Sequence, residues 1–327
     1  MCDKQKNATD LGQYDKTAVK AIVFKDNQQG NVHAVEVGAG FVWLGCCKSP
    51  SLLLRVTPDL KETTEIRFGK GEGGLHDLAF DGEFLWVAHA SGYLSRVDPH
   101  TCEFHSFKLS VSSGQHAFLY TLIFDSHHLW VGTYTNPGCI LRIDRKSESC
   151  TEFQIEAAPM CAIRTLVSVN DTVWAGLYTV PGKLVILDKT SGSQTLIDLG
   201  EDNMLCTSSA FDGNHVWFGL DTMPAKLIRV DPQNFKFTTY CLSQTSSCVR
   251  GLVYDGRYLW AGLYTEPGEL VCFDPRTGDY KSHVMPDAFF NVRDLGLNND
   301  WLWAVTQNTR YQPSGLYGVC LSGREKR

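Results

Sequence analysis

Leu129-Trp130-Val131-Gly132-Thr133, continued after a polar break by Gly138-Cys139-Ile140-Leu141-Arg142-Ile143-Asp144, reads as two antiparallel strands. The phrase is one of seven. Its tryptophan recurs as Trp43, Trp86, Trp130, Trp174, Trp217, Trp260 and Trp303, at intervals of 43, 44, 44, 43, 43 and 43 residues. A period of this length with an aromatic at a fixed place in each unit marks a propeller or solenoid. Each unit holds four strand-like segments. In the second they are 75–80, 84–88, 93–97 and 103–109, separated by the turn residues Asp81-Gly82, Ser91-Gly92 and Asp98-Pro99. Four antiparallel strands per repeat make a blade, so the expected fold is all-β, a seven-bladed β-propeller of four-stranded antiparallel blades.

The last unit has only three such segments, 291–297, 301–306 and 316–321. Residues 17–25 alternate like a strand and belong to no other unit, so they are predicted to complete blade seven and close the ring. Closure removes the open sheet edges that template aggregation. The expected organisation is a polar, disordered lead over 1–14 and one propeller domain over 15–327. Each tryptophan follows an apolar residue and precedes small ones, as in Trp174-Ala175-Gly176. That pattern fits a ring packed against the neighbouring blade, which makes the tryptophans core.

Composition narrows the function classes. The 327 residues are 43% hydrophobic and 20% charged, with no apolar run near the ~18 residues of a membrane span, so no membrane partner is expected. A net charge of −6 excludes a broad basic face, and with it a nucleic-acid polymer as partner. Any basic site must be local. The twelve cysteines contain no CxxC pair and read as buried free thiols, which points to a reducing cytoplasm. The alternative location is a lipid anchor through Cys2, should Met1 stand in for a removed signal peptide. A monomer is expected.

Where repeats share a residue it serves the blade; where they differ it serves function. Ten residues before each tryptophan the units read His33, His76, Tyr120, Arg164, Thr207, Arg250 and Arg293. First strands line a propeller's axis, so these residues ring the channel mouth. One reading is a solvated rim whose arginines pair with Asp294 and nearby acids. The other is an anion site, because clustered arginines offer planar donor forks for phosphate or carboxylate. The loops between second and third strands open on the same face. They carry Tyr134, Tyr178 and Tyr264 in Tyr-Thr-x-Pro-Gly phrases, with Asp221-Thr222-Met223-Pro224-Ala225 as the variant. Pro-Gly predicts a type II turn; the tyrosines are either turn packing or stacking walls beside the arginines. A longer loop over 307–314, with Arg310 and Tyr311, is a candidate lid. Phe118, Met160, Met204, Phe289 and Phe290 add apolar groups in the loops leading to the first strands.

The units resemble, across residues 31–321, the superfamily of seven-bladed propellers built from NHL, YVTN and streptogramin-lyase-like repeats. WD-type repeats fit less well, since no Gly-His and Trp-Asp pair recurs, and kelch repeats lack their Gly-Gly doublet here. The lyase resemblance implies an inner-strand histidine and a glutamate just after the repeat tryptophan. Those places hold Gly45, Ala88, Gly132, Gly176, Gly219, Gly262 and Val305 instead. Regucalcin-like hydrolases imply an axial set of acids and asparagine that is also missing. His33, His76, Asp77 and Asp294 come from blades that closure makes neighbours, and they are the candidate ligands of a divalent ion, the one cofactor considered; Glu36 is a candidate fifth member or base. The leading expectation is a propeller that captures an anionic, nucleotide-like small molecule through His33, His76, Tyr120, Arg164, Arg250, Arg293, Tyr134, Tyr178, Tyr264 and Arg310. The alternatives are a metal-dependent lyase or hydrolase of a phosphorylated or carboxylated substrate, and a protein-interaction scaffold using the same face.

Overall fold

The computed structural model describes residues 18–24, 31–114, 116–155, 161–200, 203, 205–243, 248–298, 300–307 and 313–321. These form seven four-stranded antiparallel sheets, the blades of a propeller. Blade one comprises β2 (Asn31–Gly38), β3 (Phe41–Cys47), β4 (Leu52–Val56) and β5 (Thr63–Arg67), and blade two begins with β6 (Leu75–Phe80). The first strands of blades three to seven are β10 (Leu119–Phe124), β14 (Ile163–Val169), β18 (Cys206–Phe211), β22 (Val249–Tyr254) and β26 (Val292–Leu297). Each packs on the first strands of its two neighbours around the axis.

The predicted closing strand is present as β1 (Val19–Val23), paired with β28 (Gly315–Cys320) in the register Val19↔Val319 to Val23↔Gly315. Blade seven is therefore made from both ends of the described chain, in the order β1, β28, β27 (Trp301–Thr306), β26. The proposed lead over 1–14 lies outside the described residues.

All seven repeat tryptophans are buried, none exposing more than 1% of its surface. Each fills the gap between its own blade and the next: Trp43 meets Leu75 and Leu85, Trp86 meets Leu119 and Leu129, and Trp303 meets Val32 and Val42, which joins blade seven to blade one. The small residues after tryptophan follow from this closeness. A Cβ added at Gly176 would lie 2.7 Å from the Cys206 Cβ, and one at Gly219 would lie 2.7 Å from the Val249 Cβ. Real Cβ atoms do not approach so closely, so a larger residue there would push adjacent blades apart.

The aspartates of the turns between first and second strands, three in Asp-Gly and Asp125 in Asp-Ser, do more than reverse the chain. In Asp81, Asp125, Asp212 and Asp255, Oδ1 accepts the backbone N–H groups two and three residues on, while Oδ2 accepts the indole N–H of the tryptophan five residues on, at 2.7–2.9 Å. One carboxylate thus satisfies the turn and the otherwise unpaired donor of a buried ring. In Asp212→Ala the Trp217 N–H and two turn donors lose their acceptor. A destabilisation of about 1–3 kcal/mol is expected in urea unfolding, the range for stranding a buried donor. Asp212→Asn, which keeps Oδ1 for the turn, should lose less; equal losses would show that the indole hydrogen bond alone matters. Blade seven lacks this aspartate: Asn298 Oδ1 caps the turn through Asp300 and Trp301 N–H, and the buried Trp303 Nε1 has no partner among the described residues.

Two expectations are corrected. The Pro-Gly loops are not type II turns: the bonds preceding Pro137, Pro181, Pro224 and Pro267 are cis, and Gly138, Gly182 and Gly268 have no positive φ. Proline therefore takes the third place of a cis turn rather than the second. Glycine is needed for space, because a Cβ at Gly182 would stand 2.6 Å from the Asn203 carbonyl oxygen, which accepts the Gly182 N–H. The threonine of the phrase closes the turn, Thr135, Thr179 and Thr222 each donating Oγ1–H to the proline carbonyl at 2.8 Å. The second correction concerns cysteine. Among the described residues ten cysteines are free thiols, seven of them buried, but Cys241 is disulfide-bonded.

Candidate functional site

Every first strand carries a bulge at the same place. The ladder of each inner pair skips one residue, and the residues skipped are His33, His76, Tyr120, Arg164, Thr207, Arg250 and Arg293. The extra residue of a bulge leaves the pleat and its side chain is re-aimed. Here the sevenfold repetition of one irregularity turns seven side chains toward the axis, where all seven line a single cavity of about 150 Å³.

One residue further on, the side chains stitch blades together. Asp77 accepts Leu78 N–H through Oδ1 and Leu122 N–H, from the next blade, through Oδ2 at 2.7 Å. Asp294 does the same with Leu295 and, across the closure, with Val35 at 2.9 Å. Ser208 donates to the Val249 carbonyl, and Thr165 shares a 2.6 Å hydrogen bond with Ser209. This lower tier explains the polar residues under the ring without invoking a ligand. Glu36, the third inner carboxylate, accepts the Val37 N–H at 2.7 Å.

Three arginines occupy one side of the ring in three different settings. The Arg250 Nη2 donates to Asp221 Oδ2 at 3.1 Å, so the residue that replaces tyrosine in the fifth unit supplies its counter-charge. Arg164 lies between two tyrosine faces, its guanidinium carbon 4.5 Å from the ring centres of both Tyr120 and Tyr178 and 5.9 Å from that of Tyr134. Arg293 reaches across the channel to donate to the Tyr120 hydroxyl at 2.9 Å. No carboxylate of the described residues is within ion-pair distance of Arg164 or Arg293. The Nε atoms of all three are buried without a partner among those residues. The repeated tyrosines are thus walls for the arginines: Tyr178 and Tyr134 flank Arg164, and Tyr264 stands 5.5 Å from Arg250. Such contacts hold a cation in place without neutralising it.

The opposite side is aromatic and neutral. His33 and His76 meet edge to face at 5.0 Å, and His76 continues to Tyr120 at 4.8 Å and Phe118 at 5.1 Å. Burial, aided by Arg293 and Arg164, drops the His33 and His76 pKa values to about 2 and about 3. Among the other loop residues, Phe289 is core, only 4% exposed and packed on Tyr317. Arg310, Tyr311, Met160 and Met204 lie outside the described residues.

The carboxylates move the other way. Burial raises Glu36 to about 7 and Asp294 to about 8, with Asp77 adding like-charge repulsion to both, and it raises Asp77 too. In the unfolded chain these acids ionise near pH 4, so the folded protein holds extra protons above that value. Stability from Glu36 and Asp294 is therefore full at low pH and is lost as pH rises towards 7 and 8. The buried histidines have depressed values and act below 6.5, where the unfolded chain gains protons that the fold excludes. Between pH 6.5 and 8 only the carboxylates act, so the melting temperature should fall across that window. Asp294→Asn should flatten the slope; an unchanged slope would mean that Asp294 is already ionised at pH 6.5.

No family model matches the chain, and no curated protein matches its sequence. Solved structures do. The β-propeller domain of Myceliophteria thermophila Cps50 (Swd1) matches with a TM-score of 0.67 at 11% identity, covering 91% of this chain and 99% of its own. The structure of U3-55K matches with a TM-score of 0.74 at 11% identity, covering 94% and 100%. Identity this low carries the fold and no activity. The chain is a seven-bladed β-propeller, similar in fold to the Swd1 propeller domain and to U3-55K.

Proposed function

We propose that this protein is an interaction propeller whose channel mouth receives an anionic group presented by a protein partner. The observation that carries the reading is the pair Arg164 and Arg293, aimed by bulges into one cavity and lacking a carboxylate partner among the described residues. Uncompensated cations facing each other favour an anion between them.

Size favours a presented ligand over a free one. Pockets for small organic ligands span roughly 300–1,000 Å³, whereas this cavity is about 150 Å³, enough for a carboxylate or phosphate but not for a nucleotide. The rest of the ligand must then lie outside, over the mouth. There the loop tips of blades four and five expose Val180 by 66% and Met223 by 73%, two apolar side chains on the face that bears the ring. An acidic residue with apolar neighbours complements both features. The likeness to the Swd1 and U3-55K structures and the resemblance to streptogramin-lyase-like repeats support the architecture only. Enzymatic activity finds less support, since Gly176 and Gly219, at the places of the lyase glutamate, are pressed against the next blade.

Fluorescence anisotropy with short peptides carrying one central Glu or phosphoserine between leucines tests the reading. Arg164→Ala and Arg293→Ala should each weaken binding about 10- to 100-fold, since a hydrogen bond to a charged group contributes roughly 1.5–3 kcal/mol. Val180→Ser with Met223→Ser should weaken the peptide but leave inorganic phosphate unaffected. AMP binding as tightly as any peptide, and insensitive to the loop-tip changes, would overturn the protein-partner reading in favour of a free small molecule. Unchanged peptide affinity in both arginine variants would move the site off the ring.

A further inference from the structure

We propose that His33, Cys47 and His76 form a binding site for one zinc-class transition-metal ion, with a fourth coordination position open to the channel. The three residues come from two blades. The β2–β3 register sets Asn31 opposite Cys47, so the last residue of β3 stands at the mouth beside the His33 bulge. His76 is the corresponding bulge residue of β6 in the next blade. One donor atom from each residue falls within 4.8 Å of the others, and the Cys47 Sγ is 3.8 Å from His76 Nε2.

Ligand atoms around a tetrahedral zinc ion stand roughly 3.3–3.6 Å apart, given Zn–N of ~2.0–2.1 Å and Zn–S of ~2.3 Å. The Cys47–His76 pair is nearly at that spacing, and rotation of the half-buried side chains by about 1 Å would bring His33 to it. Two imidazoles and a thiolate suit zinc or copper; magnesium and calcium take oxygen ligands. The two imidazoles also pack on each other, and His76 on Tyr120, which holds both rings at the mouth with His76 Nε2 facing the thiol.

The chemistry differs from a carboxylate site. Asp77 and Asp294 line the same cavity but have both oxygens committed to backbone N–H groups, whereas the Cys47 thiol is free and only partly covered. On binding, the thiol proton passes to solvent and the thiolate offsets the positive field of Arg293. The open fourth position faces the arginines, so an anion held there would be bound by metal and guanidinium together. This site does not depend on the protein-partner reading.

Cobalt(II) is the probe, because a sulfur-to-cobalt charge-transfer band reports thiolate ligation directly. The full-length, metal-free protein should take up one equivalent of Co²⁺ with that band, and Zn²⁺ should displace it. Cys47→Ser should abolish the band, Cys150→Ser should keep it, and His33→Gln or His76→Gln should weaken affinity by at least ~100-fold. No stoichiometric uptake, or a band that survives in Cys47→Ser, would overturn the site. Should a variant misfold, the wild-type chain still decides: Zn²⁺ should protect Cys47 from alkylation while leaving the exposed Cys150 reactive, and equal labelling of Cys47 with and without Zn²⁺ refutes the proposal.

Discussion

Trp174→Ala should lower the unfolding free energy by about 3–5 kcal/mol, the range for truncating a large buried aromatic. The indole is 1% exposed and lies between blades four and five, against Cys206, Val216 and Phe218 of the next sheet. It also donates Nε1–H to Thr172 Oγ1 at 3.0 Å, so truncation removes a satisfied hydrogen bond together with the packing. The surroundings have little freedom to collapse into the void. The ring is closed, and moving blade five inward would pull on blade six; the cavity term should therefore be near its upper range. Against a total stability of roughly 5–15 kcal/mol, the loss is a large fraction. Denaturant unfolding checks it, with Trp174→Phe as the companion that should recover about half. A variant with wild-type stability and impaired peptide binding would make Trp174 a ligand contact instead of core.

How much of this was legible in the sequence depends on whether a feature repeats. The tryptophans, the turns and the closing strand follow from the period, because a residue that returns every 43 or 44 positions must occupy equivalent places. The ring was legible for the same reason: counting ten residues back from each tryptophan lands on the bulge in every blade. That the ladder skips there was not legible, since a bulge changes pairing and leaves composition alone. The cis bonds were missed because Pro-Gly suits both a type II turn and a cis turn, and only the approach of the Asn203 carbonyl to Gly182 shows why glycine follows. Asp221 departs from the Tyr-Thr-x-Pro-Gly phrase, and that departure is the available signal that Arg250 has a counter-ion while Arg164 has aromatic faces. Cys47 gave no such signal. It adjoins the core residue Cys46, and only strand register brings its sulfur beside a histidine 29 positions away.

Deleting residues 1–24 should abolish cooperative folding at modest concentration, because it removes β1 from the blade that closes the ring. The loss has three parts. The five-residue pairing with β28 disappears, along with the hydrogen bonds from Phe24 N–H to the Ser314 carbonyl and from Cys320 N–H to Ala18. Phe24, 8% exposed, leaves the cluster that contains Trp303, Leu44 and Val305. Lys20 leaves the face of Trp301, where its ammonium sits 4.2 Å from the ring centre, and releases the Pro58 carbonyl of blade one. At about 1 kcal/mol net per hydrogen bond and 1.5–3 kcal/mol for a buried aromatic, the sum is on the order of 5–8 kcal/mol, comparable with the whole stability. What remains is worse than a weakened fold. The strand β28, buried along its entire length, becomes an open apolar edge ready to pair with another chain. Light scattering and denaturant unfolding should show aggregation and a broad transition, whereas deleting only residues 1–13, which leaves β1 intact, should change neither. A monomeric 25–327 protein with a sharp, unshifted transition would show that blade seven stands on three strands, and that the ring is held shut by the packing of Trp303 on blade one.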